Sequence, residues 1–359
     1  MASIISRATL DAMSKTAERP SNGDTRLETT QIYDIRQHGD NPIDLRKELV
    51  TGLTGSREKN VPSLLLWDEQ GQQHFEDILH CPEYYPVGAE LKLFDQHSDS
   101  IAASVKPNSI IIELGAGNCK KTLTMLSALE RKRKPVVYLA LDVAADALAQ
   151  SVSTLARLTS GFQHVVCHGL LGTYEDCATL LSREDLFHGQ DILFLWFGTS
   201  ITNLPWDAAA DLLRRLLCHK HCSAEMLVTV DGCQDLEMIN LSYDIPTGQI
   251  RSFVRNGLVH ANRLLDSEVF NLDDWDFERC FDPQTRNLNL YHVAKKDMTL
   301  HVDGQDIPVV KGERVHAITS AKWTVEDVER LSASAGVVIG EKWIGPRANI
   351  GTVIPNPPL

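Results

Sequence analysis

The chain has 359 residues, 43% of them hydrophobic, and a formal net charge of -13 at pH 7. That length can bury one large core or two domains sharing an interface, and the acidic balance argues against a general binder of nucleic acid or anionic membrane. No apolar run approaches the ~20 residues needed to span a bilayer.

Residues 1 to about 30 are polar, and "ERPSNGDTR" reads as a flexible segment. The opening "MASIISRATLDAMSK" lacks the apolar stretch of a secretory signal. From Tyr33 the patterning is helical, followed by "VPSLLLWDEQGQQHFEDILHCPEYYPVGAE". Between Glu90 and Val230 short apolar strands alternate with amphipathic helices. The strands expected are "SIIIELGAG", "VVYLALDV", "FQHVVCHG", "DILFLWFG" and "EMLVTVDG"; the helices include "KKTLTMLSALERKR" and "AADALAQSVSTLARL". Such alternation implies crossover connections and a parallel sheet.

After Asp231 the rhythm changes. "LEMINLSYD" and "TGQIRSFVRNGLVHANRLL" read as helix, and "LNLYHVAKKDMTLHVDGQDIPVVKGERVHAITSAKW" as antiparallel strands with Asp-Gly and Lys-Gly turns. "TVEDVERLSASAG" is a helix with a threonine cap and a terminal glycine, and "VVIGEKWIG" and "NIGTVIP" read as closing strands. The organisation expected is a nucleotide-type α/β domain from roughly 89–230 and 320–359, and a second α+β domain from roughly 31–88 and 231–319, with substrate in the cleft they share.

The eight cysteines, Cys81, Cys119, Cys167, Cys177, Cys218, Cys222, Cys233 and Cys280, form no disulfide framework, which suits a reducing, cytoplasmic compartment. "CHKHC" offers metal ligands on paper, but it ends a helical stretch where His and Lys suit the C-terminal dipole, and no second ligand pair follows. No metal is expected.

"ELGAGNCKKT" runs a strand through a glycine turn into a helix that opens on Lys120 and Lys121. Lysine is poorly placed at a helix N-terminus, where the peptide dipoles already put positive charge. Gly115 and Gly117 let a ligand approach the backbone, yet the turn is neither a full G-x-G-x-x-G nor a P-loop. Asp142 ends the next strand, 25 residues after Gly117, where a carboxylate can accept from both ribose hydroxyls. The plainer readings are a simple strand–helix turn and a helix cap. Together the features favour an adenosine ligand without a pyrophosphate, S-adenosylmethionine. Its amino-acid carboxylate would sit at the helix N-terminus, with Lys121 on it and Lys120 in solvent.

These motifs coincide with others. On "DIRQ", "LLLWDEQGQQHFEDI", "PEYYPVGAE", "ELGAGNCKKT", "LDV", "GTYEDC", "WFGTSITN", "SYD" and "TSAKW", in order from about Tyr33 to Val353, the chain resembles the histidine Nα-methyltransferases of ergothioneine biosynthesis. It is also similar to their fungal offshoots, such as the dimethylallyltryptophan N-methyltransferases of secondary metabolism. The resemblance implies a class I, Rossmann-like methyltransferase domain with a second substrate-binding domain. It implies that Gly115, Lys121 and Asp142 hold the methyl donor, that Thr173 and Tyr174 flank its adenine, and that Gly198 lies against it. It puts Asn203, Tyr243 and Tyr84 on the substrate's amino-acid group, as binding and catalytic residues, and Ser320 at the far end of the pocket. Read alone, Asn203 is a turn asparagine and the tyrosines are core residues.

Two departures bear on substrate. Trp67 replaces a tyrosine of the family and is placed with the donor-binding residues; its indole face can attract a cationic methylated amine. Ile318 stands where the histidine enzymes have an acidic residue for the imidazole. An imidazole N–H left unpaired there would cost ~1–3 kcal/mol, whereas an indole gains apolar contact. The expected activity is therefore α-N-methylation of tryptophan or a related indolic amino acid by a monomer, with neither nucleic acid nor membrane as partner. The alternatives are a histidine methyltransferase with another acidic partner in its pocket, and an inactive donor-binding regulator. The chain stops at Leu359, so the sulfur-inserting domain of fungal ergothioneine enzymes is not expected.

Overall fold

Five apolar runs between residues 109 and 231 each have a helix or turn between them, and all five form strands. The computed structural model describes residues 7, 9, 10, 30–36, 44–55, 58–117, 119–345 and 348–355. In chain order its strands are β1 (Ile32–Asp34), β2 (Ser109–Leu114), β3 (Val136–Asp142), β4 (Val165–Leu171), β5 (Asp191–Trp196), β6 (Ser223–Asp231), β7 (Trp275–Asp282), β8 (Asn287–Ala294), β9 (Met298–Val302), β10 (Gln305–Val309), β11 (Arg314–Ala321), β12 (Val337–Ile344) and β13 (Ala348–Pro355). The chain divides into two units: Met1–Gln37, Pro86–Cys233 and Trp323–Leu359 in one, His38–Tyr85 and Gln234–Lys322 in the other.

The first unit holds a single sheet of order β1-β4-β3-β2-β5-β6-β13-β12. β1 to β6 run parallel, β13 returns antiparallel beside β6, and β12 pairs antiparallel with β13 at the far edge. Helices Lys120–Arg131, Ala145–Leu158, Tyr174–Leu181 and Trp206–Leu217 lie between the parallel strands in sequence. Covering both sheet faces explains why all six residues of β2 are buried, with no polar alternation. Phe94, Met125, Leu129, Tyr138 and Leu195 lie in the core. The strand order reverses between β2 and β5, and in open α/β sheets ligands bind at the carboxyl ends of the strands at such a reversal. This is the doubly wound, Rossmann-like α/β sheet that the resemblance implies. No helix among the described residues is long and apolar enough to cross a membrane.

The structure corrects the sequence reading near the N-terminus. The stretch from Tyr33 reads as helix and as second domain; instead Ile32–Asp34 extend the first unit's sheet beside β4, with Tyr33 1% exposed. Three residues are too few for a period of two to show. The flexible segment expected over residues 1 to 30 lies mostly outside the described residues, but Arg7 donates to the carbonyls of Leu186 and His188, and Leu10 is buried. Ser320 belongs to the second unit, because β11 stays paired to β8 as far as Ala321.

The second unit contains the helices Leu45–Thr54, Glu69–Leu79, Leu236–Tyr243 and Gln249–Leu265, the antiparallel sheet β11-β8-β7 and the hairpin β9–β10. The hairpin turns on Asp303 and Gly304, both at positive φ, as a two-residue Asp-Gly turn requires. Asp68 caps the helix Glu69–Leu79 by accepting from the Gly71 N–H at 2.8 Å, and it also accepts from Asn256 at 2.6 Å and pairs with Arg263. That ties the helix to the helix Gln249–Leu265.

His292, on β8, is 3% exposed, and its Nε2 has no hydrogen-bond partner among the described residues. Burial, with a smaller contribution from His316, pushes its pKa down to about 3 from 6.5. A base whose folded pKa is depressed leaves stability intact above 6.5 and removes it as pH falls toward 3, because the unfolded chain takes the proton first. The His292→Phe variant should therefore lose ~2 kcal/mol less stability than the wild type between pH 7 and pH 5. Urea unfolding at both pH values checks this; equal losses would mean that His292 does not titrate on unfolding.

Candidate active site

At the end of β2 the chain turns on Gly115 at φ 71° and Gly117 at φ 44°, a region side chains with a Cβ rarely enter. The Gly115 and Ala116 N–H groups donate to the Leu141 carbonyl of β3 at 3.0 and 3.1 Å, which holds the turn open against the neighbouring strand. A Cβ on Gly115 would lie 2.9 Å from the Tyr174 hydroxyl. The Gly115→Ala variant should lose ~1–2 kcal/mol to the backbone alone, plus a clash that Tyr174→Phe relieves. A thermal-melt double-mutant cycle separates the two. Full rescue by Tyr174→Phe would mean the positive φ carries no cost.

Beneath the turn, Glu113 Oε2 accepts from Thr122 at 2.7 Å and Tyr138 at 2.6 Å. Burial raises its pKa to about 7 from 4.5 against the pull of those two donors. The glutamate of E-x-G-x-G thus ties β2, β3 and the following helix together.

Lys121 opens that helix, whose N-cap, Cys119, makes no side-chain capping bond. Its Nζ lies 2.5 Å from Oε2 of Glu90, on the helix Tyr85–Ser104. The other carboxylate oxygen of Glu90 accepts from the Gly198 N–H at 2.7 Å and from the Thr229 hydroxyl at 2.6 Å. Gly198 has φ 75°, and a Cβ there would sit 3.5 Å from Lys121 Nζ. The misplaced lysine thus has a buried counter-ion, which answers the dipole. The side chain of Lys120, expected in solvent, lies outside the described residues.

Asp142 ends β3 and accepts from the Ala144 N–H at 3.1 Å, so it steadies the turn into the next helix, the plainer of its two roles. Thr173 caps the helix Tyr174–Leu181, and its hydroxyl is engaged with Asp176 in a capping box. The Tyr174 ring packs edge-on to Trp196 at 5.2 Å, and burial pushes its phenol up to about 12. Asn203 ends the 3-10 turn Ser200–Asn203 after β5, is half-buried, and makes no side-chain hydrogen bond among the described residues. Gly115, Lys121, Asp142, Thr173, Tyr174, Gly198 and Asn203 all follow carboxyl ends of β2 to β5, one edge of one sheet. A carboxylate, an ammonium and a glycine turn converge there, which fits the ribose, the carboxylate and the close approach of S-adenosylmethionine. No group of three or more His, Cys, Asp or Glu among the described residues could hold a metal ion.

The second unit carries the other expected residues. Trp67, expected with the donor residues, packs edge-on to Phe75 at 4.9 Å and Phe253 at 5.0 Å. Tyr84 packs edge-on to Phe75 at 6.4 Å and Tyr243 at 5.9 Å, so Trp67 belongs to the same aromatic group as the two tyrosines. The Tyr243 hydroxyl and Ser320 Oγ are 2.8 Å apart, although the resemblance sends these residues to opposite ends of a substrate. The reason is Lys322, which is fully buried and donates to Tyr243 at 3.1 Å and Ser320 at 3.0 Å, with its ammonium 4.6 Å from the Tyr243 ring centre. Ile318 lies two residues before Ser320 on β11, 7% exposed, just past a bulge at Ala317. Bulges of this kind re-aim the side chains that follow them.

Sequence reasoning missed Glu90 and Lys322. Both stand inside quoted motifs, "PVGAE" and "TSAKW". Charged residues in helix and strand patterns read as solvated faces, and only their position within those motifs signalled otherwise.

A profile of the family described as histidine-specific, SAM-dependent methyltransferase matches residues 45–356. The N-methyltransferase imqF of Aspergillus flavus is 40% identical over 90% of this chain and 87% of its own length. Ergothioneine biosynthesis protein 1 of Neurospora crassa is 31% identical over 92% of this chain but only 36% of that longer protein. The 4-dimethylallyltryptophan N-methyltransferase easF of Aspergillus fumigatus is 26% identical over 89% of this chain and 95% of its own length.

Proposed function

The chain belongs to the histidine-specific, S-adenosylmethionine-dependent methyltransferase family, and on that premise we propose that it methylates the α-amine of tryptophan or a closely related indolic amino acid. The observation that carries the choice of side chain is Ile318. It is buried, apolar, and on the same strand face as Ser320. An indole loses nothing against it, while an imidazole would face it with an unpaired N–H. The name of easF supports an indolic substrate in this family; the family's description as histidine-specific keeps histidine as the competing reading.

S-adenosylmethionine supplies an electrophilic methyl group, so the protein's work is positioning more than acid–base chemistry. Lys121 is assigned the donor's carboxylate, Asp142 its ribose, and Gly115, Thr173, Tyr174 and Gly198 its close surroundings. Thr173 serves by packing and by starting the helix, since its hydroxyl and its N–H are both engaged with Asp176. Asn203 offers an acceptor and two donors, enough to read an amine and a carboxylate together. Tyr84 and Tyr243 steer the amine and the amino-acid end, and Trp67 offers its ring to a methylated, cationic amine. The Tyr243–Ser320–Lys322 group is rich in donors, so it suits an acceptor on the substrate.

The experiment is a panel of amino acids incubated with S-adenosylmethionine, with products identified by mass. Tryptophan should gain methyl groups and histidine should scarcely react. Methylation of histidine alone would hand the assignment to the ergothioneine-type activity, and donor binding without any turnover would leave a regulator.

A further inference from the structure

We propose that Glu90 is a positioning residue for the donor site: it fixes the Lys121 ammonium so that the lysine reads the carboxylate of the donor's amino-acid end. The proposal rests on the donor-site assignment of Lys121 given above and adds to it a residue that assignment does not contain.

The geometry is specific. Glu90 is 1% exposed, and its carboxylate collects three donors from three elements: Lys121 at the start of a helix, the Gly198 N–H after β5, and the Thr229 hydroxyl on β6. Thr229 also accepts from the Thr199 N–H at 3.3 Å, and Thr199 takes φ 59°, next to Gly198 at 75°. Glycine enters the left-handed region freely, but a β-branched threonine there is costly unless something holds it. Glu90 holds Gly198 directly and Thr199 through Thr229.

The charges lead to the same assignment. An ammonium has three N–H donors, and Glu90 takes one, so Lys121 keeps donors for a second carboxylate. A free lysine side chain gives up rotamer entropy when it binds, and an anchored one has already lost it before a ligand arrives. The counter-charge matters as well. The donor is a sulfonium with its own ammonium, net positive, and a lysine without a buried partner would repel it. The Glu90–Lys121 pair is neutral as a whole while presenting its positive end.

The test compares two ligands by calorimetry: S-adenosylhomocysteine, which keeps the amino-acid end, and 5′-methylthioadenosine, which lacks it. Glu90→Gln preserves the acceptor for Gly198 and Thr229 but turns an amide toward Lys121. It should weaken S-adenosylhomocysteine by roughly ten- to a hundredfold, the worth of a charge-assisted hydrogen bond, and leave methylthioadenosine unchanged. Lys121→Met should do the same, and the double variant should be no worse than the weaker single one. Equal losses on both ligands would make Glu90 a purely structural residue. Tighter S-adenosylhomocysteine binding in Glu90→Gln would make it a competitor for Lys121, and additive losses would make it independent of that lysine. Each of the three overturns the proposal alone. A wild-type protein that binds neither ligand would instead sink the donor-site reading on which it stands.

Discussion

Replacing Ile318 with glutamate is expected to invert the substrate preference. In the wild type, histidine should trail tryptophan in kcat/KM by about a hundred- to a thousandfold. An imidazole N–H without a partner costs ~1–3 kcal/mol, and the smaller ring forfeits apolar contact worth about 25 cal/mol per Å². The variant puts a carboxylate at a position that is 7% exposed. A buried charge is expensive unless it is paired and hydrogen-bonded. Histidine can do both, because its ring can carry a proton and present N–H groups; an indole has a single neutral N–H. Tryptophan turnover should therefore fall and histidine turnover rise, moving their ratio by roughly a hundredfold or more, because a site built to bond a polar group rejects the analogue that leaves it unpaired. Both substrates should be assayed in both proteins, with a melt of the variant to show that it is folded. A wild type that prefers histidine, or a ratio unmoved by the substitution, would remove Ile318 from the pocket and with it the physical basis for an indolic substrate.

What the sequence discloses follows from which interactions are local. The runs "SIIIEL" and "VVYLALD" announce buried parallel strands because nothing polar interrupts them, and the Asp-Gly pair marks its hairpin because only such residues take two positive φ values in succession. Ile32–Asp34 was illegible for the opposite reason: a strand of three residues owes its existence to β4, more than a hundred residues away. The site divides along the same line. Gly115 and Asp142 stand out because a turn and a strand end are local features. Glu90 does not, because a helix pattern in which one glutamate faces inward differs from one in which it faces water only through partners at positions 121, 198 and 229. Lysine at a helix N-terminus was the visible half of that arrangement, an unfavourable choice whose compensation lay elsewhere in the chain. Lys322, one residue past the end of β11, is the same case. Its alternation with Ser320 and Ile318 shows that the three share a face, but not that the face is buried.

Substituting Asn203 with alanine is expected to lower kcat/KM by about a thousandfold while leaving donor affinity unchanged. The side chain ends the turn after β5, at the sheet edge that carries Gly198 and Lys121, and it is not held by any other described residue. An asparagine so placed has no visible structural duty, which is why its loss should spare the fold. Its proposed duty is to hold an amine and a carboxylate of one substrate in fixed orientation, and misplacing a nucleophile by ~1 Å can cost a hundredfold by itself. The aspartate variant distinguishes this from simple loss of contact. It keeps acceptors for an ammonium but offers no donor, and it sets a negative charge against the substrate's carboxylate, so its KM should rise further than that of the alanine variant. Calorimetry with S-adenosylhomocysteine and steady-state kinetics on both variants supply the numbers. If donor affinity collapses in either variant while KM for the amino acid holds, Asn203 belongs to the donor side, and the substrate's amino-acid end must be gripped from the tyrosines alone.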